Sequence, residues 1–289
     1  MKQSIQNLIF SLIGLSIGYG ISLLTGLPII QEAVLGAFII QWIAFIPAYL
    51  GQTEKFYDLI GSATYVFVIG YVYFPNWSAP SVNWGSLVLA SFIVLWAARL
   101  GTFLFVRIKK NKVDKRFASI KPSPTRFFMA WTLQGTWVSL CAMCALTAIA
   151  SDQGVVINPF FYTGGLVFIT GFALEIIADR QKSTFRENPN NKDQFIQHGL
   201  WSYSRHPNYF GEITLWTGIS IMSFSSLSGG QYLTLISPVF TYVLLVYISG
   251  VQILEEAGLE KWGHLSAYQD YVHKTPALFP AWCKKISDA

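Results

Sequence analysis

The stretch FFMAWTLQGTWVSLCAMCALTAIA, residues 127–150, runs for twenty-four positions without a charged side chain. A helical crossing of a bilayer takes about 20 predominantly apolar residues, so this stretch is long enough to make one. Immediately before it, residues 107–126 hold eight basic side chains: Arg107, Lys109, Lys110, Lys112, Lys115, Arg116, Lys121 and Arg126. An apolar run that begins where a basic cluster ends is the pattern of a membrane span entered from the cytoplasmic side.

Working outward, comparable apolar runs lie at 6–25, 34–51, 58–75, 84–106, 158–178, 208–225 and 231–252. The 289 residues are 53% hydrophobic and 12% charged, against about 25% charged in an average soluble domain. Mean hydropathy is +0.43. A water-soluble globule of this size needs more charge to cover its surface. The composition therefore argues against a secreted module, a nucleic-acid-binding module and an ordinary cytosolic enzyme. It predicts an all-α, multi-pass integral membrane bundle of about eight spans, or seven if two early runs merge. No internal repeat, low-complexity tract or linker divides it, so 1–289 reads as a single membrane domain. The first run follows Met1-Lys2 and lacks an A-x-A cleavage site, and another apolar run follows almost directly. It reads as a retained helix rather than a signal peptide.

Basic residues set the orientation. Nineteen of the twenty lie in 107–126, in 180–206, after the last run, or at Lys2 and Lys55, and only Arg99 falls inside a run. The connections 26–33, 76–83, 151–157 and 226–230 contain none. With eight spans all basic loops share one side, which predicts that both termini are cytoplasmic. The net charge of +5 is then largely topological, though a basic mouth also favours an anionic ligand or anionic lipid headgroups. Cys141 and Cys144 form a C-x-x-C inside an apolar run with no His nearby, and read as helix packing rather than redox or metal chemistry. His198, His264 and His273 are dispersed, and no spacing suggests a metal site.

Ionisable groups at membrane depth are costly and usually functional. Asp58, Arg99, Glu175, Asp179 and Glu212 stand out. Glu175 and Asp179 are four apart, which places both on one helix face. Asp179 also fits an interfacial acid held in water beside Arg180. The densest polar segment is Gly199-Leu200-Trp201-Ser202-Tyr203-Ser204-Arg205-His206-Pro207-Asn208-Tyr209-Phe210-Gly211-Glu212. Pro207 suits the first position of a helix, which then presents Asn208 and Glu212 on one face with Gly211 allowing close approach. Arg205 and His206 sit where helix N–H groups already favour an anion. After the last span, Leu254-Glu255-Glu256-Ala257-Gly258-Leu259, Lys261-Trp262-Gly263-His264 and Tyr268-Gln269-Asp270-Tyr271 mix aromatics with charge, as on an interfacial helix. No G-x-G-x-x-G or P-loop follows a strand, so a nucleotide would be held by a membrane bundle.

The segment Gly199–Glu212 resembles the C-terminal domain of the steroid 5-alpha-reductase superfamily, most closely its bacterial branch. The similarity runs from about Gly171 to Pro280, with a weaker echo at Arg99–Arg116. This makes 127–289 a reductase-like cofactor-binding region behind divergent N-terminal spans, 1–126. The R-H-P-x-Y-x-G part is shared with isoprenylcysteine carboxyl methyltransferases. The resemblance implies an NADPH pocket in which Asn208 and Glu212 match nicotinamide- and ribose-side contacts. Asp179 and Arg186 match cofactor-lining residues, and Glu175 stands near a position that is Asn in the steroid enzymes. Tyr203, Arg205 and His206 match the bacterial branch, and Tyr268 and Tyr271 the closing aromatic pair. The implied reaction is reduction of a carbon–carbon double bond in a lipid-like, steroid- or enone-type substrate. Its proton supply in the steroid enzymes is an early Gln-Glu pair and a later Tyr. Here Gln41, Glu54 and Asp58 are the nearby candidates, with Glu54 and Asp58 the expected catalytic acids, and Trp96 stands at the approximate Tyr position. The expected partners are that substrate and membrane lipids, with no nucleic acid, in a bacterial inner membrane. Two alternatives remain at this stage. One is a lipid or isoprenylcysteine-type methyltransferase using S-adenosylmethionine, to whose tail Glu255-Glu256, Trp262-Gly263 and Tyr268 are similar. The other is a non-catalytic lipid-binding protein.

Overall fold

The computed structural model describes residues 2–75, 81–111 and 117–281. Lys112, Lys115 and Arg116, named above, lie outside the described residues, as do Cys283 and the basic pair Lys284 and Lys285. Among the described residues ten α-helices follow one another: α1 Lys2–Leu24, α2 Pro28–Leu50, α3 Tyr57–Tyr73, α4 Trp84–Asn111, α5 Pro124–Ala150, α6 Pro159–Glu187, α7 Pro207–Ser223, α8 Ser237–Val243, α9 Val251–Trp262 and α10 Ser266–Lys274. Among the described residues there is no strand.

Proline punctuates this order. Helices α2, α5, α6 and α7 each begin on one, where the missing N–H has no intrahelical partner to lose and φ is already helical. Ser123 and Asn158 complete two of these starts by accepting from the backbone N–H of Arg126 and Phe161, as N-caps do. Helix α6 outruns its apolar stretch by two turns, where Arg180, Gln181, Lys182, Arg186 and Glu187 are good helix formers that water can solvate.

Among the described residues six helical segments are long and apolar enough to cross a membrane: α1, α2, α4, α5, α6 and Gly229–Trp262. Helices α3 and α7, with 17 residues each, occupy the other two apolar runs at the short limit of a crossing. The last segment is not one regular helix. A 3₁₀ stretch at Gly229–Ile236, α8, a π-turn at Leu244–Ile248 and a break at Ser249 and Gly250 precede α9.

The described chain divides into two compact units: Met1–Tyr162 with Ser220–Ser237, and Thr163–Ile219 with Pro238–Ala289. They interleave in sequence, so no linker marks either of them, and α5 falls in the first.

In the first unit α1, α2, α3, α4 and the 229–236 turn pack around α5. The α5 span is 83% buried, that of α1 only 28%. Polarity is inverted relative to a water-soluble bundle. On α1 the buried residues are Asn7, Ser11, Gly14, Gly18 and Ser22, while Ile5, Leu8, Ile9, Phe10, Leu12, Ile13 and Ile17 are exposed. Lipid offers no hydrophobic drive between helices, so small residues that permit close approach and polar side chains that bond across take the interface. Asn7 donates to Thr125 (3.1 Å), buried Gln41 to Thr64 (2.8 Å), and Trp42 to Thr132 (3.1 Å). Cys141 and Cys144 are both buried in α5, and the Cys144 sulfur lies 3.3 Å from the Ser220 hydroxyl, as helix packing predicts.

Candidate functional site

The second unit is organised by an antiparallel pairing of α6 and α7 through glycine. A Cβ on Gly211 would stand 2.7 Å from both the Gly171 carbonyl oxygen and the Glu175 amide nitrogen. One on Gly218 would stand 2.6 Å from the Gly164 carbonyl oxygen. Only glycine lets the two backbones come this close. The register carries Glu175, Asp179 and Glu212 into the seam, all three buried. At its end the Asn208 amide donates to Asp179 Oδ1 at 3.3 Å.

Gly199 turns the chain onto α6. Its φ of +62° is left-handed, and a Cβ there would stand 2.5 Å from the Gln181 side-chain nitrogen. Freed of that clash, Leu200 N–H donates to Gln181 Oε1 (3.0 Å) and the Trp201 indole to the Ala178 carbonyl (3.1 Å). The Lys182 ammonium lies 4.4 Å over the Trp201 ring, a cation–π contact.

Arg205 is the hub. Its guanidinium grips Glu255 in a two-pronged pair, Nε to Oε1 at 3.1 Å and Nη2 to Oε2 at 2.7 Å. Its Nη1 donates to the carbonyls of Val272 (2.6 Å) and Thr275 (2.8 Å), acceptors that the end of α10 would otherwise leave unsatisfied. Backbone bonds Arg205 N–H to Pro276 and Ala281 N–H to Tyr203 pin the following tail. His206 Nε2 meets the same Glu255 oxygen at 2.6 Å. Burial pushes the His206 imidazole below its ordinary value, and Glu255 opposes this without cancelling it. Its Nδ1 is buried with no hydrogen-bond partner among the described residues. The Tyr271 hydroxyl donates to the Trp201 carbonyl (2.7 Å), and burial raises its pKa well above the ordinary phenol range. Phe195 meets Tyr268 edge-on at 5.0 Å, and Gly258 leaves room for the Tyr268 hydroxyl.

Together these groups enclose a cavity of about 480 Å³, within the roughly 300–1,000 Å³ range of small-molecule sites. Its wall carries Lys182, Arg186, Lys192, Arg205 and Lys261 against two carboxylates, Asp193 and Glu255. Phe195, Trp201, Trp262, Tyr268 and Tyr271 supply aromatic faces.

The residues expected from sequence fall into separate places. Arg186, Arg205, His206, Tyr268 and Tyr271 line the cavity. Glu175, Asp179, Asn208 and Glu212 sit on the α6–α7 seam. Tyr203 does neither: half-buried, it contributes its carbonyl to the tail. Glu54 and Asp58 belong to the first unit, where buried Glu54 forms an ion pair with Lys121 and Asp58 stands in the first turn of α3. Sequence reasoning missed the joint role of Glu255, which it read only as part of a methyltransferase-like tail. It also missed Lys182, Lys192, Phe195, Trp201 and Lys261 as cavity residues. Their single legible signal was the crowding of cations and aromatics in 180–206 and 254–271.

Comparison with known proteins points the same two ways. Over 116 residues the chain is 32% identical to a probable O-methyltransferase of Ustilaginoidea virens, covering 35% of this chain and 40% of that protein. Over 196 residues it is 24% identical to 3-oxo-5-alpha-steroid 4-dehydrogenase 1 of Bos taurus, covering 67% of this chain and 66% of that one. The chain thus spans less than two thirds of the length of either relative. No solved structure matches it. A family model covers residues 44–275, most of both units, and by it the chain belongs to the family described as protein of unknown function DUF1295.

Proposed function

We propose that this protein is a membrane-embedded, NADPH-dependent reductase of a carbon–carbon double bond in a lipid-like, steroid- or enone-type substrate. The observation that carries the reading is the cavity wall of five Lys/Arg side chains interleaved with aromatic faces. That donor set suits a dinucleotide: cations for phosphate oxygens and aromatic faces for planar rings. The buried, unpartnered His206 Nδ1 is a further polar atom available to a ligand. The bovine relative, by its name a steroid dehydrogenase, supports the same class.

Within this reading Arg186 and Lys192 neutralise phosphate, while Trp201 and Tyr268 provide stacking surfaces. Glu255 holds Arg205 and His206 in place. Asn208, with Asp179, Glu175 and Glu212 behind it, orients polar edges of the cofactor. NADPH supplies a hydride for the β-carbon of an activated alkene, and the α-carbon takes a proton. Glu54 and Asp58 are the acids we assign to proton supply. Asp58→Asn is expected to lower turnover with NADPH affinity unchanged. The basic loops support eight crossings with both termini cytoplasmic, in a bacterial inner membrane.

The similarity to the fungal O-methyltransferase favours one second reading, a lipid methyltransferase using S-adenosylmethionine. Thermal unfolding of the detergent-purified protein with NADPH, NADH or S-adenosylmethionine separates the two. Stabilisation by NADPH that is lost in Arg186→Ala and Glu212→Ala supports the reductase. Stabilisation by S-adenosylmethionine alone replaces it with lipid methylation, and stabilisation by none of the three favours a non-catalytic lipid-binding protein.

A further inference from the structure

Helix α6 has an outer face unrelated to the cation–aromatic cavity. Leu166, Ile169, Ala173 and Ile177 are exposed along it. At the same spacing of three to four residues, the face continues as Arg180, Thr184 and Asn188, also exposed. Apolar side chains thus give way to hydrogen-bond donors on one stripe within about two turns. A groove of about 630 Å³ opens over this transition, with Ile176 and Ile177 at its apolar end and Arg180, Thr184, Asn188 and His198 around its polar end. His198 is held above α6 by the Gly199 turn on Gln181 and by the Phe185 ring, 5.5 Å from its own.

Among the described residues no carboxylate lines the groove. Asp179, Glu175 and Glu187, the acids nearest Arg180 in sequence, are all absent from its lining. A zwitterionic headgroup brings an ammonium that would need such an acid, whereas an anionic one needs only donors and a cation. The polar-to-apolar order along the stripe also follows the order of headgroup and acyl chain in a lipid leaflet. Basic side chains at a membrane surface attract anionic lipid, and a groove adds shape and direct hydrogen bonds to that attraction.

We propose that this groove binds one anionic phospholipid. Its phosphodiester accepts hydrogen bonds from the Arg180 guanidinium, the Thr184 hydroxyl and the Asn188 amide, and its upper acyl chain lies along Ile176 and Ile177. The proposal does not depend on the reductase reading, although Phe185 and Asn191 line both this groove and the cavity.

The test is lipid retention by the full-length protein, counted by native mass spectrometry. The protein is delipidated in detergent, then exchanged through nanodiscs of phosphatidylcholine with a minor share of phosphatidylglycerol. The wild type is expected to keep one phosphatidylglycerol per chain in preference to phosphatidylcholine. Arg180→Gln is expected to weaken that retention roughly fivefold, the worth of one basic side chain at a membrane surface. Inorganic phosphate at millimolar concentration should not displace the lipid. Equal retention of the two lipids overturns the proposal, as does full retention by a folded Arg180→Gln or displacement by phosphate alone. If Arg180→Gln fails to fold, Thr184→Val decides on the same criterion, since the Thr184 side chain is exposed.

Discussion

Arg205 and Glu255 stand 50 residues apart in the chain, yet one guanidinium at this contact joins the start of α7, the middle of α9 and the end of α10. Both side chains are mostly buried, at 14% and 22% exposed. Replacing the carboxylate by an amide removes the negative charge and one of its two acceptor oxygens, so the Arg205 Nε and Nη2 donors and His206 Nε2 are left with a single neutral acceptor. Glu255→Gln is expected to cost roughly 1–3 kcal/mol of stability, measured by thermal unfolding in detergent, and, on the proposed reading, to abolish stabilisation by added NADPH. His206 makes a second prediction. Burial lowers its folded pKa below the ordinary 6.5, so the fold favours the neutral imidazole. The stability gained from this source is complete above the unfolded value and is lost as pH falls through the lower folded one. The melting temperature of the wild type should therefore fall between neutrality and about pH 5 by more than that of His206→Gln. Equal falls would show that His206 is not the group responsible. The part of the site legible at this scale was the part written in short spacings. Asn208 and Glu212 lie four apart, as do Glu175 and Asp179, and α-helical geometry alone puts each pair on one face. Glu255 was not legible as the partner of Arg205 and His206, because nothing local in its sequence points to them.

At the scale of elements, glycine decides which helices meet. On α6 and α7 the opposing atoms around Gly171, Gly211 and Gly218 are backbone atoms, which cannot swing aside as a long side chain can. Gly211→Ala is expected to cost roughly 1–3 kcal/mol through forced separation of the pair, with loss of ligand binding because Asn208 and Asp179 part. Gly70 on α3 is the control: a Cβ there meets nothing within 4 Å. Gly70→Ala should be neutral or stabilising by about 0.5–1 kcal/mol, the helix propensity difference. A Gly211→Ala protein that melts and binds like the wild type would remove the seam from the argument. The break at Gly250 works similarly, since a Cβ there would stand 2.9 Å from the Tyr209 ring, and Tyr209 in turn stacks on His206 at 5.7 Å. Hydropathy sees the last run only as apolar from 231 to 252. The π-turn and the break are invisible to it, because they change hydrogen bonding rather than composition.

Across the whole molecule, orientation is the property most open to test. Six crossings and eight crossings both return the C-terminus to the side of the N-terminus, but they differ at the 117–123 turn. If α3 and α7 both cross, Ser119 shares the side of the N-terminus and Gln153 lies opposite. If neither crosses, the two exchange sides. In a variant lacking the native cysteines, Ser119→Cys in sealed right-side-out membranes should resist an impermeant maleimide, while Gln153→Cys should react. The reverse pattern would reduce the span count to six. Sequence by itself determined the apolar solvent and the helical class of this protein, because each depends on sums over many residues that no single contact can overturn. It also determined which polar residues are too costly to be incidental, since the desolvation penalty is a property of the residue and its depth. Only the tertiary structure decided how those residues divide. The buried acids belong to a glycine seam, whereas the cations and aromatics of 182–271 enclose a cavity around Arg205 and Glu255. That division depends on contacts between chain segments tens of residues apart, where close packing and paired charges are set by geometry that no local pattern encodes.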